Sequence, residues 1–217
     1  MVQLLYLVFL CLLLVGISKP SLTRYYARLK GLCSTIFVIQ IILVITQRPT
    51  FHLLILLLFG IFCAIGDILL GIVYTNNLGH RKIFLLGILS FSVAHLFLTG
   101  LLFSVSEIRW ITIVLPICAE GVLIYIEKNK AFQFGKMKVF VRGYGFLVTL
   151  ILAQCIVFSV DNFIIFTMLG AFLFWISDFM LVFLYFYKRP WKTLRGWNLF
   201  FYYAGIEILI MSLAKMV

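Results

Sequence analysis

The chain has 217 residues, of which 65% are hydrophobic and only 12% are charged, and its formal net charge is +11. A soluble globular domain has roughly 45–50% apolar and about 25% charged residues, so this composition excludes a soluble protein and indicates an integral membrane protein. The positive charge does not indicate nucleic-acid binding, because the lysines and arginines lie mostly in short loops between apolar segments.

Eight apolar segments follow one another along the chain, and each is interpreted as a transmembrane helix. The first two are shorter than the ~20 residues that a helix needs to cross the hydrocarbon core, so they are expected to be tilted or partly interfacial. No linker or soluble insertion separates the segments, which predicts a single all-α polytopic domain over residues 1–217. The predicted helices cover residues 2–17, 31–46, 51–73, 83–104, 110–126, 139–159, 163–187 and 197–214.

Lysine and arginine alternate along the predicted loops. Loops one, three, five and seven hold fifteen of the eighteen basic residues, and the remaining three are Arg48, Arg109 and Lys215. Because basic loops stay in the cytoplasm, the odd loops are predicted to be cytoplasmic and both termini non-cytoplasmic. Membrane lipids are expected partners, and in a bacterium the protein would lie in the plasma membrane.

Four of the seven acidic residues, Asp67, Glu120, Asp178 and Glu207, lie within predicted helices, as does His95. An ionisable side chain inside a membrane helix is a functional-site hypothesis, because even lenient scales assign it ~2.5–3.5 kcal/mol at the helix centre. A purely structural role stays open for each of them: a carboxyl group could hydrogen-bond to a neighbouring helix, and His95 could be a core histidine with its hydrogen bonds made inside the protein.

The sequences around Asp67 and Asp178 match each other. IGDILLGIVY (65–74) and ISDFMLVFLY (176–185) share Ile, a small residue, Asp, Leu and Tyr at equivalent positions. Helices 3 and 7 are predicted to be parallel, which places both carboxylates in the cytoplasmic half and agrees with a four-plus-four duplication. Because a small residue before each Asp permits close helix approach, the two carboxylates are predicted to meet in one pocket.

Four motifs extend this pattern: GDILLG in helix 3, FLLGILSFSVAHLFL in helix 4, GAFLFWISDFMLVFLYF in helix 7 and YYAGIEILIMS in helix 8. In these motifs the chain resembles the YhhN-type lysoplasmalogenase family of eight-helix membrane proteins, whose pattern includes G-D-x-x-L, F-x-x-A-H and G-A-x-x-F-x-x-S-D-x-x-L. The matching residues are Gly66, Asp67 and Leu70; Phe91, Ala94 and His95; and Gly170, Ala171, Phe174, Ser177, Asp178 and Leu181.

The resemblance implies hydrolysis of the vinyl-ether bond of lysoplasmalogens, which are lysophospholipids, to a fatty aldehyde and glycerophosphocholine or glycerophosphoethanolamine. Protonation of the vinyl carbon creates an oxocarbenium ion that water captures, so the reaction needs a carboxylic acid that is kept protonated by desolvation. The implied catalytic residues are Asp67 and Asp178, as acid and as base or stabiliser, with His95 orienting one of them or relaying protons. The predicted substrate-binding residues are Lys30, Glu120, Tyr144, Ser177, Tyr203 and Glu207, of which Glu120 matches no position of the family pattern.

Two other readings of the same residues stay open. Intramembrane carboxylates and a repeat also suit a proton-coupled transporter of small molecules or lipids. Alternatively, Asp67, His95, Glu120 and Asp178 could bind a metal ion. The H-E-x-x-H spacing and any C-x-x-C pair are absent from the sequence, so it predicts no metal and no cofactor.

Overall fold

A computed structural model describes residues 2–18, 24–75 and 81–216, except for the side chains of Ser18 and Arg81. These residues form α-helices joined by short connections, with no strand longer than an isolated bridge, which confirms the predicted all-α class. The helices are α1 (Val2–Ser18), α2 (Tyr26–Gln47), α3 (Phe51–Thr75), α4 (Arg81–Val105), α5 (Trp110–Lys128), α6 (Lys138–Asn162), α7 (Ile165–Phe186) and α8 (Leu194–Met216), with a 3-10 turn at Gly135–Met137.

Within the described part of the chain, seven helices are long and apolar enough to cross a membrane, so the chain is a multi-pass integral membrane protein. The remaining helix, α1, has 17 residues, or about 25 Å at about 1.5 Å per residue, which is less than the ~30 Å of a typical hydrocarbon core. The expectation of a short second helix is wrong, because α2 begins at Tyr26 and has 22 residues. Residues 26–30 belong to α2 although they include two basic side chains.

The chain divides into two compact units. The first unit comprises Met1–Leu101 and Ala214–Val217, and within it α2 packs against both α1 and α3. Small residues allow α2 and α3 to lie close together. A Cβ atom added to Gly71 would lie 2.8 Å from the Cα of Ala27, so the two helix backbones nearly touch at this point.

The second unit comprises Leu102–Leu213, and within it α6 packs against both α5 and α7. Two glycines let α7 and α8 make backbone contact. A Cβ atom on Gly170 would lie 2.6 Å from the backbone nitrogen of Leu209, and one on Gly205 would lie 2.5 Å from the backbone nitrogen of Phe174. Close approach at small residues is a common way for membrane helices to associate, because it maximises van der Waals contact.

We expect Gly170→Ala to lower the free energy of unfolding by about 1–3 kcal/mol, the usual range for an overpacked core site. The methyl group would meet rigid backbone, so α7 and α8 would have to separate. Thermal unfolding in detergent would measure the effect. Gly143→Ala in α6 is the matched control, because nothing lies within 4 Å of its added methyl group; equal destabilisation by both variants would contradict the close contact.

Candidate active site

Asp67 is fully buried in α3, and α2 supplies a partner to each of its carboxylate oxygens. The Lys30 Nζ lies 2.8 Å from Oδ1, and the Ser34 hydroxyl donates to Oδ2 at 2.5 Å. Lys30 and Ser34 are four residues apart and therefore lie on the same face of α2. Only 8% of the Lys30 side chain is exposed. The ammonium and the carboxylate thus compensate each other's charge in the interior of the first unit.

Small side chains bring α2 close enough for this contact. Ala27 faces Gly71 one turn before Lys30, and a Cβ atom on Gly31 would lie 3.2 Å from the Ile68 side chain. With the two helices this close, the lysine reaches the carboxylate of Asp67 directly. The ion pair explains why α2 includes Lys30, which the apolar pattern had placed in a loop. It also means that the lysine is not an exposed interfacial cation.

His95 is fully buried in α4. Its Nδ1 contacts the carbonyl oxygen of Phe91, one helical turn earlier. A carbonyl oxygen only accepts hydrogen bonds, so Nδ1 is the donor in this contact. The Phe91 ring packs on Gly66, where an added Cβ atom would lie 2.6 Å from it. Phe91 therefore connects the histidine to the residue that precedes Asp67.

Asp178 is buried in α7, with 7% exposure. The hydroxyl group of Tyr144 in α6 donates to its Oδ2 at 2.9 Å. The preceding residue, Ser177, is held by α8: the Asn198 amide donates to the Ser177 carbonyl oxygen at 2.7 Å and to its Oγ at 3.0 Å. The segment of α7 that carries Asp178 is therefore fixed by polar contacts from two neighbouring helices.

The two units repeat one arrangement. In the first unit, Lys30 of α2 donates to Asp67 of α3. In the second unit, Tyr144 of α6 donates to Asp178 of α7, and α6 and α7 hold the equivalent second and third places. In each unit, the small residue before the aspartate contacts the fourth helix. These shared contacts support the four-plus-four duplication that the matching decapeptides suggested.

The two aspartates nevertheless differ in the charge of these donors. Asp67 contacts an ammonium group, and a positive charge at this distance favours the charged form of its carboxyl group. The phenol hydroxyl of Tyr144 is neutral and can donate both to a protonated and to an ionised carboxyl group. The contact from Tyr144 is therefore compatible with both forms of the Asp178 carboxyl group.

The other predicted site residues lie in the second unit. Glu120 is half-buried in α5, and within the described part of the chain its Oε1 has no hydrogen-bond partner. Tyr203 is fully buried in α8, where its ring packs edge-on against Tyr202 with 4.8 Å between centroids. Glu207 follows one turn later in α8. Substrate contacts at Glu120, Ser177, Tyr203 and Glu207 stay predictions from the sequence.

The structure thus joins Lys30 to Asp67 and Tyr144 to Asp178. Asp67 belongs to the first unit and Asp178 to the second, and their meeting in one pocket stays a prediction. Ser34 is not among the residues predicted from the sequence. It lies four residues after Lys30, and this spacing, which places both side chains on one face of α2, could have indicated it. Among the described residues, no three His, Cys, Asp or Glu side chains lie close enough together to hold a metal ion.

Asn198 is also not among the residues predicted for the site, because no pattern in the segment LRGWNLFF relates it to Ser177.

Comparison with curated proteins gives no match, and neither does comparison with solved structures. The YhhN family, by contrast, matches residues 29–213, which is most of the chain. The matched range includes Lys30, both aspartate motifs and His95. The chain therefore belongs to the YhhN family, as the resemblance of its helix motifs predicted.

Proposed function

We propose that this protein is a membrane hydrolase that cleaves the vinyl-ether bond of lysoplasmalogens. The products are a fatty aldehyde and glycerophosphocholine or glycerophosphoethanolamine. The observation that carries the proposal is the buried carboxyl group of Asp178, which accepts a hydrogen bond from the neutral hydroxyl of Tyr144 in a helix that has no other charged residue. Membership in the YhhN family supports this reaction class, and in a bacterium we place the enzyme in the plasma membrane.

Asp178 is assigned as the general acid. Its O–H bond breaks as a new C–H bond forms at the outer vinyl carbon, and the positive charge spreads over the inner carbon and the ether oxygen. Water adds to the cationic carbon and returns a proton to the carboxylate. The resulting hemiacetal breaks down to the aldehyde and the glycerol hydroxyl. The hydrogen bond from Tyr144 strengthens as the charge develops on Asp178, because charge-assisted bonds are roughly twice as strong as neutral ones.

Asp67 is assigned as a negative charge that stabilises the cation or orients water, because the ammonium group of Lys30 favours its charged form. The ammonium group of Lys30 already contacts this carboxyl group, so we assign Lys30 to holding Asp67 rather than to binding the substrate phosphate. His95 is assigned to proton relay. Joint action of Asp67 and Asp178 on one substrate stays a prediction from their matched sequences.

The test is aldehyde release by the purified protein in detergent. Lysoplasmalogens with choline and ethanolamine headgroups would be compared with the 1-acyl lysophospholipids, whose ester bond yields a fatty acid instead of an aldehyde. Release of aldehyde from the vinyl ethers is the expected result. Absence of aldehyde from every lysoplasmalogen would contradict the proposal, and a flux in liposomes that depends on a pH gradient would then favour the transporter.

Tyr144→Phe tests the assignment of Asp178. Loss of a hydrogen bond to a developing charge is expected to lower kcat roughly 10- to 100-fold, equivalent to about 1.5–3 kcal/mol, with little change in KM. Tyr125→Phe is the matched control, because Tyr125 is 77% exposed on α5. An unchanged kcat for Tyr144→Phe would show that this hydroxyl does not assist the acid.

A further inference from the structure

Two loops at one end of the second unit are bound to each other. The backbone N–H of Gln133 donates to the carbonyl oxygen of Phe186 at 2.8 Å, and that of Lys188 donates to the carbonyl oxygen of Ala131 at 3.0 Å. These bonds make a short antiparallel bridge. The loop between α5 and α6 and the loop between α7 and α8 therefore form one continuous surface.

Aromatic side chains of the two loops and of α7 pack against each other and stabilise this junction. Phe134 has only 4% exposure, and its ring stacks on Phe186 with 4.8 Å between centroids. The Phe132 ring packs edge-on against Phe183 with 5.3 Å between centroids, and it packs at a tilt against Tyr187 with 5.1 Å between centroids. Because the apolar side chains of the first loop are used in this packing, its polar side chains are left on the outer surface.

The outer surface of the joined loops carries only positive charge. Residues 128–142 and 187–201 contain no Asp or Glu. The preceding acid, Glu127, accepts two hydrogen bonds from Arg142, so its charge is already compensated. We name the exposed cations the basic loop surface: Lys128, Lys130, Lys136, Lys138, Lys188, Arg189 and Lys192.

Exposed apolar side chains near this surface indicate where it lies relative to the hydrocarbon core and the headgroups. Val139 and Phe140, in the first turn of α6, are 78% and 47% exposed. Trp191 and Trp197 are 50% and 53% exposed. Tryptophan is enriched where the hydrocarbon core meets the headgroups. The cations therefore lie beside the phosphate layer of the bilayer, and this end of the unit is the one that the excess of Lys and Arg predicts to be cytoplasmic.

We propose that the basic loop surface binds the headgroups of anionic phospholipids in the surrounding bilayer. Each Lys or Arg close to an anionic membrane surface contributes about fivefold to binding, and the attraction falls off within a Debye length of ~8 Å. Joining the two loops concentrates seven such cations on one surface. Zwitterionic lipids have no net charge, so this attraction contributes less to their binding. The proposal does not depend on the hydrolase function.

The test compares lipid retention by the purified protein, measured by native mass spectrometry after addition of phosphatidylglycerol or phosphatidylcholine. The wild-type protein is expected to retain phosphatidylglycerol preferentially. Replacing Lys188, Arg189 and Lys192 with Gln is expected to weaken that retention at least about fivefold. Retention equal to that of the wild type would overturn the proposal.

The matched control removes three exposed cations from the first unit, with Arg24→Gln, Arg28→Gln and Lys82→Gln in one variant. Its net charge equals that of the first triple variant, so a general effect of charge would weaken both equally. We expect the control to lose less of its phosphatidylglycerol retention than the first triple variant does. Equal losses in the two variants would overturn the proposal of a specific surface.

A second variant tests the joined loops without removing any charge. Phe132→Ala deletes the ring that packs against Phe183 and Tyr187 and loosens the junction. Retention of phosphatidylglycerol is expected to fall at least about threefold as the cations disperse. Unchanged retention in this variant would overturn the claim that the two loops act as one surface, provided that its thermal unfolding midpoint shows a folded protein.

Discussion

Asp178→Asn is expected to lower the rate of aldehyde release roughly 100- to 10,000-fold, the range that general acid catalysis contributes. Asparagine keeps the size of the side chain, and its amide oxygen still accepts the hydrogen bond from Tyr144. It cannot deliver a proton to the vinyl carbon. Initial rates at equal concentrations of folded protein would measure the loss, with KM expected to change little because substrate contacts remain.

Asp161→Asn is the matched control for this substitution. Asp161 lies in the same unit, and its carboxylate pairs with Arg109 in a contact where both side chains are partly exposed. The same chemical change at that position is expected to leave the rate close to that of the wild type, since exposed ion pairs contribute little. Activity above about a tenth of the wild-type rate in Asp178→Asn would contradict its role as the acid.

The helices could be predicted from the sequence because apolar runs of membrane-spanning length are a strong signal. Their ends were harder to place. The second helix was predicted to begin at residue 31, but it begins at Tyr26 because Lys30 is compensated by a carboxylate inside the unit. The seventh was predicted to begin at residue 163, but Phe163 has a left-handed conformation (φ 56°) that ends α6.

The contacts of the candidate site depend on distant parts of the chain. Ser34 and Asp67 are 33 residues apart, and Tyr144 and Asp178 are 34 apart. Periodicity within a helix predicts which of its faces is buried, but not which residue of another helix lies opposite. The sequence therefore identified the buried aspartates from their unusual setting. It assigned Lys30 and Tyr144 to substrate, which stays a prediction, and it did not predict that their polar groups contact the two carboxyl groups.

These contacts also distinguish two aspartates that the sequence left equivalent. The matching decapeptides gave no reason to assign the proton to one carboxyl group rather than to the other. The ammonium of Lys30 favours the charged form of Asp67, while the phenol of Tyr144 leaves Asp178 able to be protonated. The two copies of a shared arrangement have thus acquired different donors, and the different donors suit different steps of acid-catalysed hydrolysis.

Lys30→Met is expected to lower the free energy of unfolding by about 3–5 kcal/mol, because it leaves the Asp67 carboxylate buried without its compensating charge. Denaturant unfolding in detergent micelles would measure this change. Arg109→Met is the control at a partly exposed pair, in which Arg109 and Asp161 are 44% and 25% exposed. We expect that control to cost about 0–1 kcal/mol.

The double variant Lys30→Met with Asp67→Asn distinguishes loss of the ion pair from a packing defect. Removing both charges is often nearly neutral for a buried pair, so most of the stability lost in Lys30→Met should return. A packing defect at position 30 would persist in the double variant instead. If the recovered protein also releases no aldehyde, the pair of Lys30 and Asp67 is needed for the reaction and not only for the fold. Wild-type rates in that folded double variant would exclude Asp67 from catalysis and leave Asp178 to act without it.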